Sequence, residues 1–317
     1  MTKADKQWDD EKRERHWIDA VKTDAWMLAL AKKQTPAICL AAVEKDGVAL
    51  MHVKEQTPEI CLAAVRQNGA AIAFVENQTR EICLAAVSRH DSALMHVKEQ
   101  TPEICMTAVL YSGNALFHVE EQTPEICLAA VSQCGLALKH VKEQTAELCM
   151  AAVCQNGLAL EHVKEQTAEL CMAAVCQNGL ALKYAKEQTL DLCMAAVERN
   201  AQALKHAINQ THDMCLSAVT HKGEAIEYAK VRSIDVCLAA VRQNGNALKH
   251  IRRQTPDICL EAVKENGMAI HFVKKQTTEI CLAAVRECRY AIMGVQDVTG
   301  EIKAEMLKMK KEEVSNA

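Results

Sequence analysis

Cysteine and histidine, two side chains that commonly bind zinc, recur through this 317-residue chain at a fixed interval. Twelve cysteines are spaced 22 residues apart, and seven histidines share another position of the same period. The cysteines are Cys39, Cys61, Cys83, Cys105, Cys127, Cys149, Cys171, Cys193, Cys215, Cys237, Cys259 and Cys281. The histidines are His52, His96, His118, His140, His162, His206 and His250. Two kinds of chemistry are open to such residues, metal binding and thiol redox reactions.

The residues at the repeated histidine position do not have the pattern expected of metal ligands. In other copies the same position holds Phe74, Tyr184, Tyr228 and Phe272. A position that accepts phenylalanine selects a flat ring rather than a nitrogen donor. No Cys-x-x-Cys pair accompanies the histidines. We therefore predict that the protein binds no metal and needs no other cofactor.

The twelve cysteines spaced 22 residues apart, which we call the cysteine ladder, are predicted to be buried free thiols. Stacked helices lie roughly 8–10 Å apart, whereas a disulfide needs Cα atoms closer than about 7 Å. One cysteine per repeat is then too widely spaced to cross-link, which favours a reducing compartment. Four more cysteines lie off the ladder: Cys134, Cys154, Cys176 and Cys288. We interpret these as neutral surface substitutions, with redox sensitivity as the alternative.

The sequence contains no recognisable catalytic constellation. It has no glycine-rich phosphate loop and no metalloprotease motif. The acidic residues recur near predicted helix starts, where they stabilise the helix and need no catalytic role. We predict that the protein is not an enzyme.

The elements that carry these residues are predicted from the 22-residue period, since a fixed period of this length indicates a repeat architecture. Each copy reads as two short helices. Threonine stands at the N-cap of the first helix in eleven copies and Ser233 in the twelfth. All five prolines occupy the next position: Pro36, Pro58, Pro102, Pro124 and Pro256.

Glycine and glutamine mark the other boundaries of each copy. Glycine follows the first helix in nine copies, which predicts a helix-ending residue with positive φ. Asp91, Ala201 and Arg289 replace it and are expected to strain that turn. Glutamine ends eleven of the twelve copies, with Arg232 as the exception. We predict that the glutamines form a hydrogen-bonded ladder between neighbouring repeats.

The predicted fold is an all-α solenoid of about twelve 22-residue helix-turn-helix repeats with a cap at each end. Residues 1–12 form a charged N-terminal segment, and residues 13–34 form a degenerate capping repeat in which Trp17 replaces the cysteine. Residues 35–298 contain the twelve repeats, and residues 299–317 form a C-terminal capping helix and tail.

The composition of the chain bears on which partners it binds and in which cellular compartment it resides. The formal net charge is −4, which indicates neither nucleic acid nor membrane as a partner of the whole chain. The N-terminus has no signal peptide, and no apolar stretch reaches 18 residues. We expect a cytoplasmic protein without membrane attachment. Near-identical repeats also favour self-association.

One motif carries a family resemblance. Residues 152–160 read Ala-Val-Cys-Gln-Asn-Gly-Leu-Ala-Leu, and variants of Ala-Val-x-x-x-Gly-x-Ala-Leu recur over residues 35–296. The pattern resembles an uncharacterised tandem-repeat family, a domain of unknown function, in bacteria and giant viruses. The resemblance implies a repeat fold and no particular activity.

The positions that vary between copies are free for recognition. One variable position of the second helix is apolar in the first four copies, where it holds Met51, Ala73, Met95 and Phe117, and is mostly charged afterwards. Exposed apolar clusters mark partner sites. We therefore predict a non-enzymatic scaffold that binds a protein partner through Met51, Met95 and Phe117. The alternative is that curvature of the stack partly buries this position.

A second local feature is positive charge. Residues 229–254 contain six cations and one acid, Asp235, a local net charge of 6 − 1 = +5. The cations are Lys230, Arg232, Arg242, Lys249, Arg252 and Arg253. They predict, as the alternative function, binding of nucleic acid or another polyanion. An ordinary solvated face is the other interpretation.

Overall fold

The computed structural model describes residues 3–315, with side chains for residues 11–310. Every regular element in that range is helical. Fourteen α-helices alternate with thirteen 3₁₀-helices, and from Pro36 to Gly294 each pair of one α-helix and one 3₁₀-helix occupies one 22-residue period. The predicted all-α repeat fold is therefore confirmed.

The α-helices are α1 (Lys3–Thr23), α2 (Pro36–Lys45), α3 (Pro58–Gln67), α4 (Arg80–Val87), α5 (Pro102–Tyr111), α6 (Pro124–Gln133), α7 (Ala146–Gln155), α8 (Ala168–Gln177), α9 (Leu190–Arg199), α10 (His212–His221), α11 (Ile234–Gln243), α12 (Pro256–Glu265), α13 (Thr278–Glu287) and α14 (Gly300–Ser315). The 3₁₀-helices are η1 (Ala25–Leu30), η2 (Gly47–His52), η3 (Gly69–Phe74), η4 (Asp91–His96), η5 (Gly113–His118), η6 (Gly135–His140), η7 (Gly157–His162), η8 (Gly179–Tyr184), η9 (Ala201–His206), η10 (Gly223–Glu227), η11 (Gly245–His250), η12 (Gly267–Phe272) and η13 (Arg289–Gly294).

The threonine signal correctly marks the start of the α-helices. The hydroxyl of Thr123, for example, accepts a hydrogen bond from the N–H of Ile126 at 3.3 Å. Pro124 occupies the first helical position, as predicted. Ser233 is the exception, because its side chain makes no capping hydrogen bond to α11.

The sequence predicted a second short helix in each repeat, and the structure shows that it is a 3₁₀-helix. In η6, the N–H of Ala137 donates to the carbonyl of Cys134 and the N–H of Val141 donates to that of Leu138. Both bonds span three residues, the tighter 3₁₀ pattern. A segment of six residues gains little from i→i+4 bonds, and the 3₁₀ form still turns Ala137 and Leu138 into the core.

The glycines that follow the α-helices have a different role from the one predicted. Among the described residues, none has a positive φ. Gly135 instead opens η6, and a Cβ at that position would lie 2.4 Å from the carbonyl oxygen of Ala152 in the next repeat. Glycine is therefore required by close packing between repeats, and the strain expected at Asp91, Ala201 and Arg289 from backbone conformation does not arise.

The core is a thin apolar layer built identically in each repeat. In the repeat of α3, the buried side chains are Ile60, Cys61, Ala64 and Val65, followed by Ala71, Ile72 and Val75 from η3 and the residue after it. A single repeat has too few apolar groups to fold alone, so its stability depends on contact with its neighbours.

The described helices form two compact units, which meet in the sequence between Lys164 and Glu165. Within the first unit, consecutive α-helices from α1 to α7 pack together, and consecutive 3₁₀-helices from η1 to η7 pack together. The second unit has the same arrangement from α8 to α14 and from η8 to η13. Each unit is a solenoid-like stack with one row of α-helices and one row of 3₁₀-helices.

The ends of the chain are helical within the described residues. Helix α1 crosses the boundary predicted between residues 12 and 13, and α14 begins at Gly300, next to the predicted boundary at residue 299. The division into an N-terminal segment, caps and repeats remains a prediction. The ends of the predicted terminal segments, residues 1–2 and 316–317, lie outside the described residues. Among the described helices, none combines the length and apolar composition needed to cross a membrane.

Candidate interaction surfaces

The glutamine that ends each repeat clamps it to the repeat that follows. The Nε2 of Gln122 donates to the carbonyl of His140 at 2.9 Å, and its Oε1 accepts from the N–H of Lys142 at 3.0 Å. The thiol of Cys127 donates to the same Oε1 at 3.7 Å. The predicted ladder exists, but it joins each glutamine to the backbone of the next repeat rather than to another glutamine.

The clamp gives the cysteine ladder a structural role that sequence reasoning missed. The twelve ladder cysteines are buried, and all sixteen cysteines of the chain are free. Burial raises the pKa of the Cys127 thiol, although the nearby Lys142 ammonium acts in the opposite direction. Burial likewise raises the pKa of the Cys193 thiol. These thiols favour the protonated form, which donates to glutamine and is a poor nucleophile.

The off-ladder cysteines have different surroundings. Cys154 and Cys176 are exposed, while Cys134 and Cys288 are half-buried. Cys134 and Cys288 occupy the N-cap positions of η6 and η13, and neither makes a side-chain capping bond.

We expect a thiol reagent added to the native protein to modify Cys154 and Cys176 first, because they are exposed. The twelve ladder thiols should react only when the stack opens. A chromogenic disulfide reagent, applied with and without denaturant, measures both phases. The Cys154→Ser/Cys176→Ser variant should lose the fast phase, and rapid modification of ladder thiols in the native protein would contradict the structural role given to them.

The repeated histidines form a row of rings on the 3₁₀-helices. The ring of Trp26 lies 5.2 Å from that of His52, and Phe117 lies 5.1 Å from His140 between ring centroids. Burial, followed by the charge of Lys139, lowers the pKa of His140. In the described part of the chain, no group of three or more His, Cys, Asp or Glu residues is arranged to hold a metal ion.

The predicted apolar positions lie on four successive 3₁₀-helices of the first unit. Met51 on η2 is 47% exposed, Met95 on η4 is 56% exposed and Phe117 on η5 is 66% exposed. Ala73 on η3 is also exposed. Since η2 to η5 contact one another in order, these four residues form a continuous strip, which we call the apolar track. These side chains are therefore open to solvent over about half of their surface or more.

Beyond Phe117 the apolar track gives way to charge. The equivalent residues on η6 and η7 are Lys139 and Glu161, which are exposed. Toward the N-terminus the apolar surface continues, because Trp26 and Leu30 on η1 are exposed as well. The first unit therefore has an apolar half and a polar half along the same row of 3₁₀-helices.

Two cations of the basic segment are paired with carboxylates. The Nε of Arg242 contacts Glu261 at 2.8 Å, and the Nζ of Lys249 contacts Glu224 at 3.2 Å. The hydrogen bond from Arg242 is the main cause of the lowered pKa of Glu261. These contacts reduce the positive charge available to a ligand.

The remaining four cations differ in whether their side chains have hydrogen-bond or ion-pair partners. The Nζ of Lys230 donates to the carbonyl of Ile208 at 3.0 Å, and Arg232 donates to three backbone carbonyls. Within the described residues, the guanidinium groups of Arg252 and Arg253 have no hydrogen-bond or ion-pair partner. The six residues therefore do not form one free basic surface, and the two free guanidinium groups are adjacent in sequence.

One family model matches part of the chain. The domain of unknown function DUF4116 matches residues 146–189, which span two 22-residue repeats. No curated protein and no solved structure matches the chain significantly. The family match agrees with the repeat pattern and carries no statement about activity.

Proposed function

We propose that the protein is a non-enzymatic repeat scaffold that binds a protein partner through the apolar track. The observation that carries this proposal is the exposure of Met51, Met95 and Phe117 on η2, η4 and η5 of the first unit, with the exposed Ala73 on η3 between them. Apolar groups of this size are usually withdrawn from water, and a contiguous exposed set is typical of an interaction site.

The geometry of the track defines the partner that it fits. Neighbouring repeats are separated by roughly the 8–10 Å of stacked helices. Met95 and Phe117 are one repeat apart, whereas Met51 and Met95 are two repeats apart with the small Ala73 between them. The aromatic ring of Phe117 lies 5.0 Å from that of His118 and 5.1 Å from that of His140, and the residue remains 66% exposed. A protein segment that presents apolar side chains at a comparable interval would bury all of the anchors together. Methionine at two anchor positions adapts to different partner surfaces.

Introducing a carboxylate into the track should weaken this interaction. Burying Phe117 against a partner would make it a central anchor, and an aspartate there would have to be desolvated instead. We expect Phe117→Asp to raise the Kd at least about thirtyfold, the equivalent of about 2 kcal/mol. The measurement is affinity capture from the native host, followed by titration of the captured protein against each purified variant.

A matched control separates the track from exposed apolar residues in general. Leu190 in the second unit is 55% exposed at the start of α9, so Leu190→Asp makes the same chemical change elsewhere. We expect this variant to bind as the unchanged protein does. If the protein captured by the unchanged chain also binds Phe117→Asp and Met95→Asp with the same Kd, the apolar track is not the binding surface.

A further inference from the structure

One junction in the second unit uses an arginine where eleven other repeats use a glutamine. Arg232 donates to the carbonyls of Ala229 at 2.8 Å, Glu227 at 3.0 Å and His250 at 2.9 Å. The bond to His250 replaces the bond that the glutamine Nε2 makes in the other repeats. Arg232 therefore keeps the donor half of the clamp.

The acceptor half of the clamp is lost, because a guanidinium group has no acceptor. In the repeat that follows, the N–H of Lys274 donates to the Oε1 of Gln254 at 2.9 Å. The equivalent N–H at this junction belongs to Arg252. Within the part of the chain that the structure describes, the N–H of Arg252 has no hydrogen-bond acceptor. The exchange of glutamine for arginine has therefore left one backbone donor unused.

The Arg252 side chain is also released from the role that lysine has at this position. Lys274, for example, donates to the carbonyl of Arg252 at 2.9 Å, and Lys230 donates in the same way to Ile208. Both bonds span one 22-residue repeat. The guanidinium of Arg252 makes no such bond among the described residues and remains available for a ligand.

Arg232 and Arg252 line a groove of about 450 Å³. Its charged lining consists of Arg232, Arg252 and Arg253, and the rest is Ala229, Cys237 and Ile251. No carboxylate lines it. The corresponding groove in the first unit has a mixed lining, in which Glu76 and Glu99 accompany Arg80 and Lys98. The groove at Arg232 therefore differs from its counterpart in carrying charge of one sign.

We propose that this groove binds a phosphate monoester. Guanidinium groups match the tetrahedral oxygens of phosphate with paired hydrogen bonds, and the free N–H of Arg252 supplies a further donor. The two free guanidinium groups, beside the charge of Arg232, suit one compact dianion. A nucleic-acid backbone would need a longer row of free cations, but Lys230, Arg242 and Lys249 are already engaged.

Titration calorimetry with phenyl phosphate tests the proposal. We expect one saturable site per chain, and at least about a tenfold loss of affinity in Arg252→Gln and in Arg253→Gln, because each removes a charged donor. A peptide containing phosphoserine, compared with free O-phosphoserine, identifies the source of the group. Tighter binding of the peptide supports a modified protein as the ligand, and equal binding supports a small phosphorylated molecule.

The decisive variant is Arg232→Gln, because it restores the clamp found in eleven other repeats. It should fold at least as stably as the unchanged protein, yet bind phenyl phosphate at least about tenfold more weakly, since the N–H of Arg252 regains its acceptor and a charge is lost. Arg199→Gln makes the same charge change at an exposed site of α9 and should leave binding unchanged.

Three results would overturn the proposal. Absence of saturable binding of both phenyl phosphate and inorganic phosphate at millimolar concentration is the first. Full affinity in Arg232→Gln, despite the restored clamp, is the second. The third is much tighter binding of single-stranded RNA with a steep dependence on salt, which would indicate an extended polyanion instead of a monoester.

Discussion

Replacing Gly135 by alanine should lower the free energy of unfolding by about 2 kcal/mol, and valine should cost more. Alanine is the better helix former by up to about 1 kcal/mol, so propensity alone predicts stabilisation. We nevertheless expect destabilisation, because the added Cβ would clash with the carbonyl oxygen of Ala152 at 2.4 Å. That atom belongs to the backbone of the next repeat and cannot rotate away.

The same substitution would also disturb a hydrogen bond between repeats. The N–H of Gly135 donates to the Oε1 of Gln155 at 2.7 Å, and the new Cβ would lie 2.9 Å from that oxygen. Relief of the clash requires the two repeats to separate, which loosens the apolar layer between them. Urea unfolding monitored by circular dichroism gives the change in free energy.

The reverse change at Ala201 is the matched control. Ala201 occupies the equivalent position in η9, so the stack there has already adapted to a Cβ. We expect Ala201→Gly to change stability by about 1 kcal/mol or less, through propensity and a small loss of contact. Equal effects of Gly135→Ala and Ala201→Gly would show that packing between repeats does not select the glycine.

The glycine row shows what a sequence can and cannot predict here. Nine glycines at one position correctly indicate a site that excludes a side chain. A positive φ and a close backbone contact both produce that pattern, and only the position of Ala152 relative to Gly135 distinguishes them. The same limit applies to the 3₁₀-helices, because apolar spacing such as Ala137, Leu138 and Val141 suits both helix types.

For the candidate interaction surfaces, too, some features could be predicted from the sequence and others could not. Comparison of the repeats left two interpretations of Phe117 open, because a position that elsewhere holds lysine and glutamate can be exposed or can be partly buried by curvature of the stack. The 66% exposure of Phe117 became visible only in the structure. The local charge count over residues 229–254 was less informative, because the partners lie in neighbouring repeats. Glu224 neutralises Lys249 from 25 residues away, and Glu261 neutralises Arg242 from 19 residues away. The effect of Arg232 can be recognised only once the hydrogen bonds of the glutamine clamp are known, and the sequence alone shows that clamp only as a repeated glutamine.

Replacing Gln122 by leucine should lower the free energy of unfolding by about 3 kcal/mol, the largest single effect that we expect. Two backbone groups would lose their hydrogen-bond partner, and each unsatisfied group costs about 1–3 kcal/mol. The carbonyl of His140 and the N–H of Lys142 both depend on the Gln122 side chain. Leucine has a similar volume, so it fills the space without satisfying either group. Gln122→Asn should be nearly as damaging, since the shorter amide cannot reach both partners.

The neighbouring residue separates the clamp from a general effect of surface substitution. Glu121 is exposed, and Glu121→Ala should change stability by less than about 0.5 kcal/mol. Hydrogen exchange provides a second readout, because the N–H of Lys142 should lose protection in Gln122→Leu before amides in α2 do. Unchanged stability together with unchanged protection of Lys142 would mean that the clamp does not join the repeats in solution. If only the protection of Lys142 fell, the clamp would order the loop without adding to the cooperativity of the stack.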